Sequence, residues 1–333
     1  MTTVDSPSHP MSGSIERSPY GGSISYNADT TKKSAKEHLA NISHLASLAI
    51  GSAKIRKLTL HQRKESKQIR PQIHVILRAP TGSLKSTVLA AIAKHEGRPV
   101  LDEITRAGLV GTVDQRVMQV IPGAAWTCRN GLLLLDEFRF KRQSDDWIVF
   151  LKLLEDQTYA RKLGVFSSTI NLQDGDLYLR QENGQIEMKT RFATVLATMR
   201  DFRRVSSQEF KAFVNRCITY EYNPTLDELE NIAKGAELIK IKEYNPHQEV
   251  EINRSTYLRI IKFVHDYMSV RDTATVRQNY LRIVGDLCRI RAVEDNMSWK
   301  FAGQIINWKI DAYNQIGLYY REKETRGSKK SCR

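Results

Sequence analysis

Apolar residues recur along this chain with two different periods, and the period decides the element. Between residues 34 and about 50, Leu39, Ile42, Leu45, Ala46 and Ala49 fall at helical spacing and predict a helix. From residue 72 the pattern changes to short apolar runs alternating with helical stretches. The run 73–77 predicts a buried strand ending in a turn, followed by a helix over 85–94. Four leucines at 132–135 predict a second buried strand, and 147–154 a helix. Segments 165–172 and 176–180 flank Asp174-Gly175, a hairpin signal. A second turn at Asn183-Gly184 leads into 185–189, and 192–197 is another buried strand. Beyond Thr225 the spacing is helical throughout, over 226–240, 253–270, 275–293 and 298–320. Strands alternating with helices and then an all-helical block predict an α/β fold, a parallel central sheet followed by an α-helical lid.

Composition adds flanks to this picture. Residues 1–33 are rich in Ser, Thr and Gly without apolar period, and are expected to be a disordered lead-in lacking a signal peptide's apolar region. The organisation expected is therefore lead-in 1–33, helix and basic connector 34–71, α/β core 72–222, lid 223–296, and a C-terminal helix with basic tail 297–333. No run of about 18 apolar residues occurs, so no membrane partner is expected. Cys128, Cys217, Cys288 and Cys332 lie far apart, which argues against a disulfide framework or structural zinc and for a reducing, cytoplasmic setting.

Lys and Arg number 51 against 37 Asp and Glu, a net charge of +14. That excess suits a polyanion partner such as DNA, because cationic side chains displace counterions condensed on phosphates. A basic protein with solvated lysine faces explains the charge equally well. The connector's Lys54, Arg56, Lys57, Arg63, Lys64, Lys67 and Arg70 are read as a solvated linker slightly ahead of a nucleic-acid contact.

Two local patterns carry chemistry. The first is A-P-T-G-S-L-K-S at 79–86, between a predicted strand and a predicted helix. Loops of the type G-x-x-x-x-G-K-[ST] wrap phosphates in backbone N–H groups at a positive helix N-terminus. Ala79, Pro80, Thr81, Gly82, Ser83, Leu84, Lys85, Ser86 and Thr87 would form the ATP cradle. Lys85 would reach the β and γ oxygens, and Ser86 would hold Mg²⁺. Ala79 stands where the pattern has its first glycine, and Leu84 where it has its second. A leucine there disfavours positive φ, so the loop is expected to use a geometry that tolerates a side chain. The second pattern is Asp136-Glu137 after the leucine run. A buried parallel strand delivers both acids to its carboxyl end, Asp136 toward Mg²⁺ and Glu137 toward the attacking water.

The surrounding residues resemble one family. P-G-A-A-W-T-C-R-N-G at 122–131 leads into L-L-L-L-D-E-F, and is similar to the P-G-A…N-G approach to the acidic pair in minichromosome maintenance (MCM) helicases, a group of AAA+ ATPases. Phe138-Arg139-Phe140-Lys141 resembles the following D-E-F-D-K, and L-L-E-D-Q-T at 153–158 the helix before that family's presensor hairpin. A-G-L-V-G-T at 107–112 resembles its helix-2 insert. The family is similar in placing a non-glycine residue, alanine, before the lysine.

The resemblance covers roughly 73–293 and implies an AAA+ P-loop NTPase core with a presensor β-hairpin. F-V-N-R-C-I at 213–218 makes Arg216 the candidate arginine finger, and T-V-R-Q at 275–278 makes Arg277 the candidate sensor 2. The finger acts on a neighbour's nucleotide in this family, implying a ring, usually a hexamer. The sensor 1 position is open between Thr198 and Arg200. DNA would be met by Arg161, Lys162, Arg180, Lys189 and Arg191 of the hairpin and by Arg106 and Arg116 of the insert, although the Asp174-Gly175-Asp176 turn is acidic. The family's N-terminal oligonucleotide-binding and zinc modules have no counterpart in the roughly 70 residues before the core, which suggests a core-only relative from an archaeal or mobile genetic element. The expected activity is ATP-driven helicase or translocase work in DNA replication. The rivals are a chelatase- or MoxR-like remodeller of proteins, and a slow ATPase that loads another factor on DNA.

Overall fold

The computed structural model describes residues 35–62, 65–114, 116, 119–139, 144–162, 170–182, 184–204, 208–235, 239–269 and 274–317. The described residues begin with α1 (Ala35–Lys54), β1 (Lys57–His61), β2 (Ser66–Ile69), β3 (His74–Arg78), α2 (Lys85–Glu96) and β4 (Val100–Glu103). Then come α3 (Arg106–Val110), β5 (Gly111–Asp114), β6 (Gln119–Pro122), α4 (Ala124–Thr127), β7 (Leu132–Arg139) and α5 (Ser144–Asp156). Next are β8 (Thr158–Lys162), β9 (Ile170–Asp174), β10 (Leu177–Glu182), β11 (Gln185–Lys189), β12 (Ala193–Thr198), α6 (Gln208–Arg216) and β13 (Cys217–Glu221). Last are α7 (Leu226–Gly235), β14 (Glu249–Ile252), α8 (Arg254–Ser269), α9 (Ala274–Val293) and α10 (Trp299–Gln315).

The central sheet is five-stranded and all-parallel, in the order β13-β3-β12-β7-β4. Its inner strands are covered on both faces, which is why β12 and the leucines of β7 are continuous apolar runs rather than alternating ones. β12 lies between β3 and β7, with Val195 opposite Val75 on one side and Leu134 on the other. The carboxyl ends of β3 and β7 therefore open on either side of the end of β12. In open parallel sheets such a crevice is where ligands bind.

A second sheet, β8-β11-β10-β9, is antiparallel and turns at Gly175-Asp176, one residue beyond the expected Asp174-Gly175. Part of the predicted strand 165–172, residues 165–169, lies outside the described residues, as do the lead-in 1–33 and the tail beyond 317. Helix α7 is described over Leu226–Gly235; of the rest of the predicted helix to 240, residues 236–238 lie outside the described residues and 239–240 are not helical. At Gly123 a Cβ would stand 2.4 Å from the Leu109 carbonyl oxygen and the Gly111 nitrogen, so the β5–β6 hairpin closes only because glycine is there.

The basic connector differs from expectation. It forms β1 and β2, antiparallel to each other, with β14 parallel to β1. Leu58 and Leu60 are buried beneath this strand, a two-leucine alternation too short to stand out among the surrounding charges. Helix α1 docks on the chain's own core. His38 Nδ1 lies 2.6 Å from the Tyr220 hydroxyl, and His44 pairs with Glu294 at 3.0 Å while stacking on Phe301.

One charged group sits at the centre of the C-terminal packing. Lys309 of α10 is fully buried, donating to the carbonyls of Asn215 and Cys217 at 2.9 Å each and pairing with Asp286 of α9, also at 2.9 Å. It joins α9, α10 and the start of β13. Among the described residues, no helix is long and apolar enough to cross a membrane.

Candidate functional site

Residues 79–84 turn from β3 into α2. Ala79 is buried and donates its N–H to the Thr198 carbonyl at 3.1 Å, locking the loop to the end of β12. Gly82 has φ 79°, as a glycine should, but Leu84 also lies in the left-handed region, at φ 61° and ψ 24°. The expectation that leucine would keep this position out of positive φ is wrong. Such a conformation costs a non-glycine residue about 1–3 kcal/mol. Its side chain packs against Leu39 of α1, and that burial offsets part of the strain. Leu84→Gly should accordingly leave stability within about 1 kcal/mol of the parent, strain relief balancing lost packing. Leu84→Val should cost about 1–2 kcal/mol more, because a β-branched residue tolerates this region least. Urea denaturation compares the two; a Val variant as stable as the Gly variant would refute the strained geometry.

Lys85 is 6% exposed, and its Nζ donates to the Pro80 carbonyl at 2.8 Å, with Ser83 Oγ at 3.5 Å. Glu137 Oε1 stands 3.7 Å from the same nitrogen. Ser86 and Thr87 lie exposed in the first turn of α2, where backbone N–H groups have no intrahelical acceptor. Glu137 is held at φ 44°, a second strained non-glycine, and its Oε2 accepts from the Met199 N–H at 3.3 Å. Asp136 sits beside Ala197 of β12, and its Oδ1 is buried with no hydrogen-bond partner. Thus Lys85, Ser86, Asp136 and Glu137 converge at one crevice.

Their donor set fits Mg²⁺. This hard cation takes oxygen ligands, usually one or two protein groups plus waters and phosphate oxygens. The Ser86 hydroxyl and the orphaned Asp136 oxygen supply that much, and no cluster of three His, Cys, Asp or Glu able to hold a metal exists among the described residues.

The structure adds two groups that sequence patterns missed. Tyr222 donates its hydroxyl to the Ser83 carbonyl at 3.3 Å. Burial, helped by the Asp136 charge, pushes that hydroxyl up to about 12, so it stays a donor across the physiological range. Met199 presents a backbone N–H to Glu137, a role no residue identity could announce. The two sensor 1 candidates are engaged otherwise. Thr198 is buried with Oγ1 accepting from the Arg200 N–H at 3.2 Å, and the Arg200 guanidinium lies 5.4 Å over the Phe210 ring.

Arg216 is not in this crevice. It precedes Cys217, which pairs with His74 at the amino end of β3, the opposite end of the sheet from Lys85. There it is bound to Glu155 and to the Ala212 carbonyl. Arg277 lies in the first turn of α9, and its side chain is outside the described residues, as are Phe140 and Lys141.

The acidic hairpin turn is neutralised internally. Asp174 accepts from Arg129 at 2.7 Å, while Asp176 pairs with Lys189, Arg191 and Arg56 at 3.1, 3.5 and 3.6 Å. Lys189 and Arg191 are therefore committed. Arg161, Lys162 and Arg180 are exposed, with Arg180 over the Tyr178 ring. In the insert, Arg106 donates to the Tyr159 hydroxyl at 2.8 Å, and Arg116 is exposed in a turn. No protein-family model matches this chain, and no curated protein matches it.

Proposed function

We propose that this chain is a magnesium-dependent ATPase of the MCM-like AAA+ group that works as a ring, usually a hexamer, and translocates or unwinds DNA. The observation that carries the ATPase reading is the convergence of Lys85 with Glu137 at 3.7 Å beside the orphaned Asp136 oxygen, at the mouth of a parallel sheet. On this reading the central sheet is a P-loop core, β8–β11 its presensor hairpin, and the helices after β13 its lid.

Phosphate oxygens would draw Lys85 from Pro80 and Glu137 to themselves, as a charge-assisted contact outcompetes one to a neutral carbonyl. Glu137, aimed by the Met199 N–H, would then accept a proton or hydrogen bond from the attacking water. Mg²⁺ bound by Ser86 and Asp136 supplies neutralisation of the phosphate charge. Arg216, at the far end of its own sheet, would serve a neighbouring subunit's γ-phosphate, which is the reason for a ring. Arg277 would act as sensor 2.

DNA contact would fall to Arg161, Lys162 and Arg180, the hairpin cations not committed to Asp176. The commitment of Lys189 and Arg191 is the observation on the side of the protein-remodelling rival. Turnover with and without single-stranded and duplex DNA decides between them. Stimulation at low salt that fades as salt rises is expected, because each phosphate contact releases counterions. Lys85→Ala should remove basal and stimulated turnover alike. Turnover indifferent to both DNAs at low salt would leave the remodelling reading.

A further inference from the structure

At the amino end of the central sheet, where β3 and β13 begin, lies a polar cavity of about 590 Å³. It is separate from the crevice of Lys85 and Glu137, which opens at the carboxyl end. Among the described residues four arginines line it, Arg70, Arg216, Arg282 and Arg289, with Glu155 as the one lining carboxylate. Their partners show how little of this charge is cancelled. Arg216 takes Glu155. Arg289 takes Asp286 at 2.6 Å and donates to the Arg70 carbonyl at 2.7 Å. Asp286 is itself shared with Lys309. The hydrogen bond of Arg70 goes to a neutral acceptor, the Leu154 carbonyl. Arg282 makes no hydrogen bond or ion pair among the described residues.

Burial dominates the protonation of the neighbouring groups. Burial pushes Arg70 down to about 10, with Arg289 and Arg216 adding to the fall and Glu155 and Asp156 opposing it. His74 on the cavity wall is pushed down to about 3, by burial first and then by Arg289 and Arg70. It stays neutral, bonded to Thr194 Oγ1 at 2.9 Å, and brings no further charge. A guanidinium carries five donors in a planar fork that matches phosphate oxygens, and desolvating several together is costly unless an anion joins them.

We infer that this cavity is a second phosphate-binding site, in which Arg70 and Arg282 supply guanidinium groups that form no ion pair with a carboxylate among the described residues. The ligand class is a phosphate-bearing anion. Its source is either a free polyphosphate or, resting on the role proposed above for Arg216, the terminal phosphates of a nucleotide held by a neighbouring copy.

Pyrophosphate titrated calorimetrically into the Lys85→Ala chain, at fixed ionic strength, isolates the cavity from the loop. Binding is expected to persist in that variant and to weaken about tenfold or more when Arg282→Glu is added, the loss of one charge-assisted contact. Arg282 is half-exposed and structurally uncommitted, so the variant should fold; its melt without ligand checks this. Arg70→Gln in the same background is the second variant, with a similar loss expected. Equal pyrophosphate affinity with and without Arg282→Glu and Arg70→Gln, or no binding to the Lys85→Ala chain, overturns the inference. This readout needs no turnover, so it stands or falls apart from the ATPase proposal.

Two further arms separate the sources. If Glu137→Gln chains saturated with ATP take up less pyrophosphate than Lys85→Ala chains, a neighbour's nucleotide occupies the cavity. If they take up as much, the ligand is a free anion.

Discussion

Replacing Glu137 with Gln should lower ATP turnover by about 10²–10⁴-fold while leaving nucleotide affinity within a few-fold of the parent. The amide keeps the shape of the carboxylate and can still accept the Met199 N–H through its oxygen. What it loses is the basicity needed to orient and deprotonate water, and the charge facing Lys85 at 3.7 Å. Removing that charge frees Lys85 for phosphate, so binding should if anything tighten. Single-turnover kinetics beside equilibrium titration separates the two effects. If Glu137→Gln keeps half the parent rate while Asp136→Asn abolishes it, the roles of the two acids are reversed.

The largest stability effect should come from Lys309→Met. Taking one partner from a buried ion pair leaves the other charge uncompensated, at a cost of roughly 3–5 kcal/mol. Here Arg289 still faces Asp286 at 2.6 Å, which argues for the lower end of that range. The carbonyls of Asn215 and Cys217 would lose their donor as well. Adding Asp286→Leu to Lys309→Met should recover much of the loss, because the orphaned carboxylate goes too. Urea unfolding of the single and double variants measures this; a double variant less stable than the single one would show the carboxylate is held by Arg289 alone.

The pair also has a pH signature. Burial works to raise the Asp286 carboxyl, but Lys309 and Arg289 override it and hold it below its usual range. Its contribution is present above the unfolded carboxylate range and is lost as pH falls through the depressed folded value. For Lys309, burial works downward, but Asp286 prevails and holds the ammonium above its usual range. That contribution is complete below the unfolded lysine value and is lost as pH rises through the raised one.

Much of the architecture was legible because it rests on local period. The run 132–135 reads as a strand buried on both faces, and β7 begins at Leu132 and carries on through both acids. The helical spacing of 275–293 gave α9 to within a residue. Strands β4, β13 and β14 escaped because they are four or five residues long, and their pairing partners are distant in sequence. Whether α1 belongs to the core was also unreadable. Its burial depends on Tyr220, 182 positions away from His38.

Residue order alone carries the chemistry on offer: a lysine and a hydroxyl opening one helix, two acids at the end of one strand, and the elements that hold them. Each is a matter of residue type at short spacing, and short spacing survives without tertiary contacts. Long-range packing set β12 between β3 and β7, brought Lys85 to Glu137 and put Leu84 in the left-handed conformation. It alone put Arg216 at the far end of the sheet, in a cavity with Arg70 and Arg282. The physical reason is the same in every case. Parallel pairing joins residues such as His74 and Thr194, 120 positions apart, and its backbone hydrogen bonds carry no mark of residue identity.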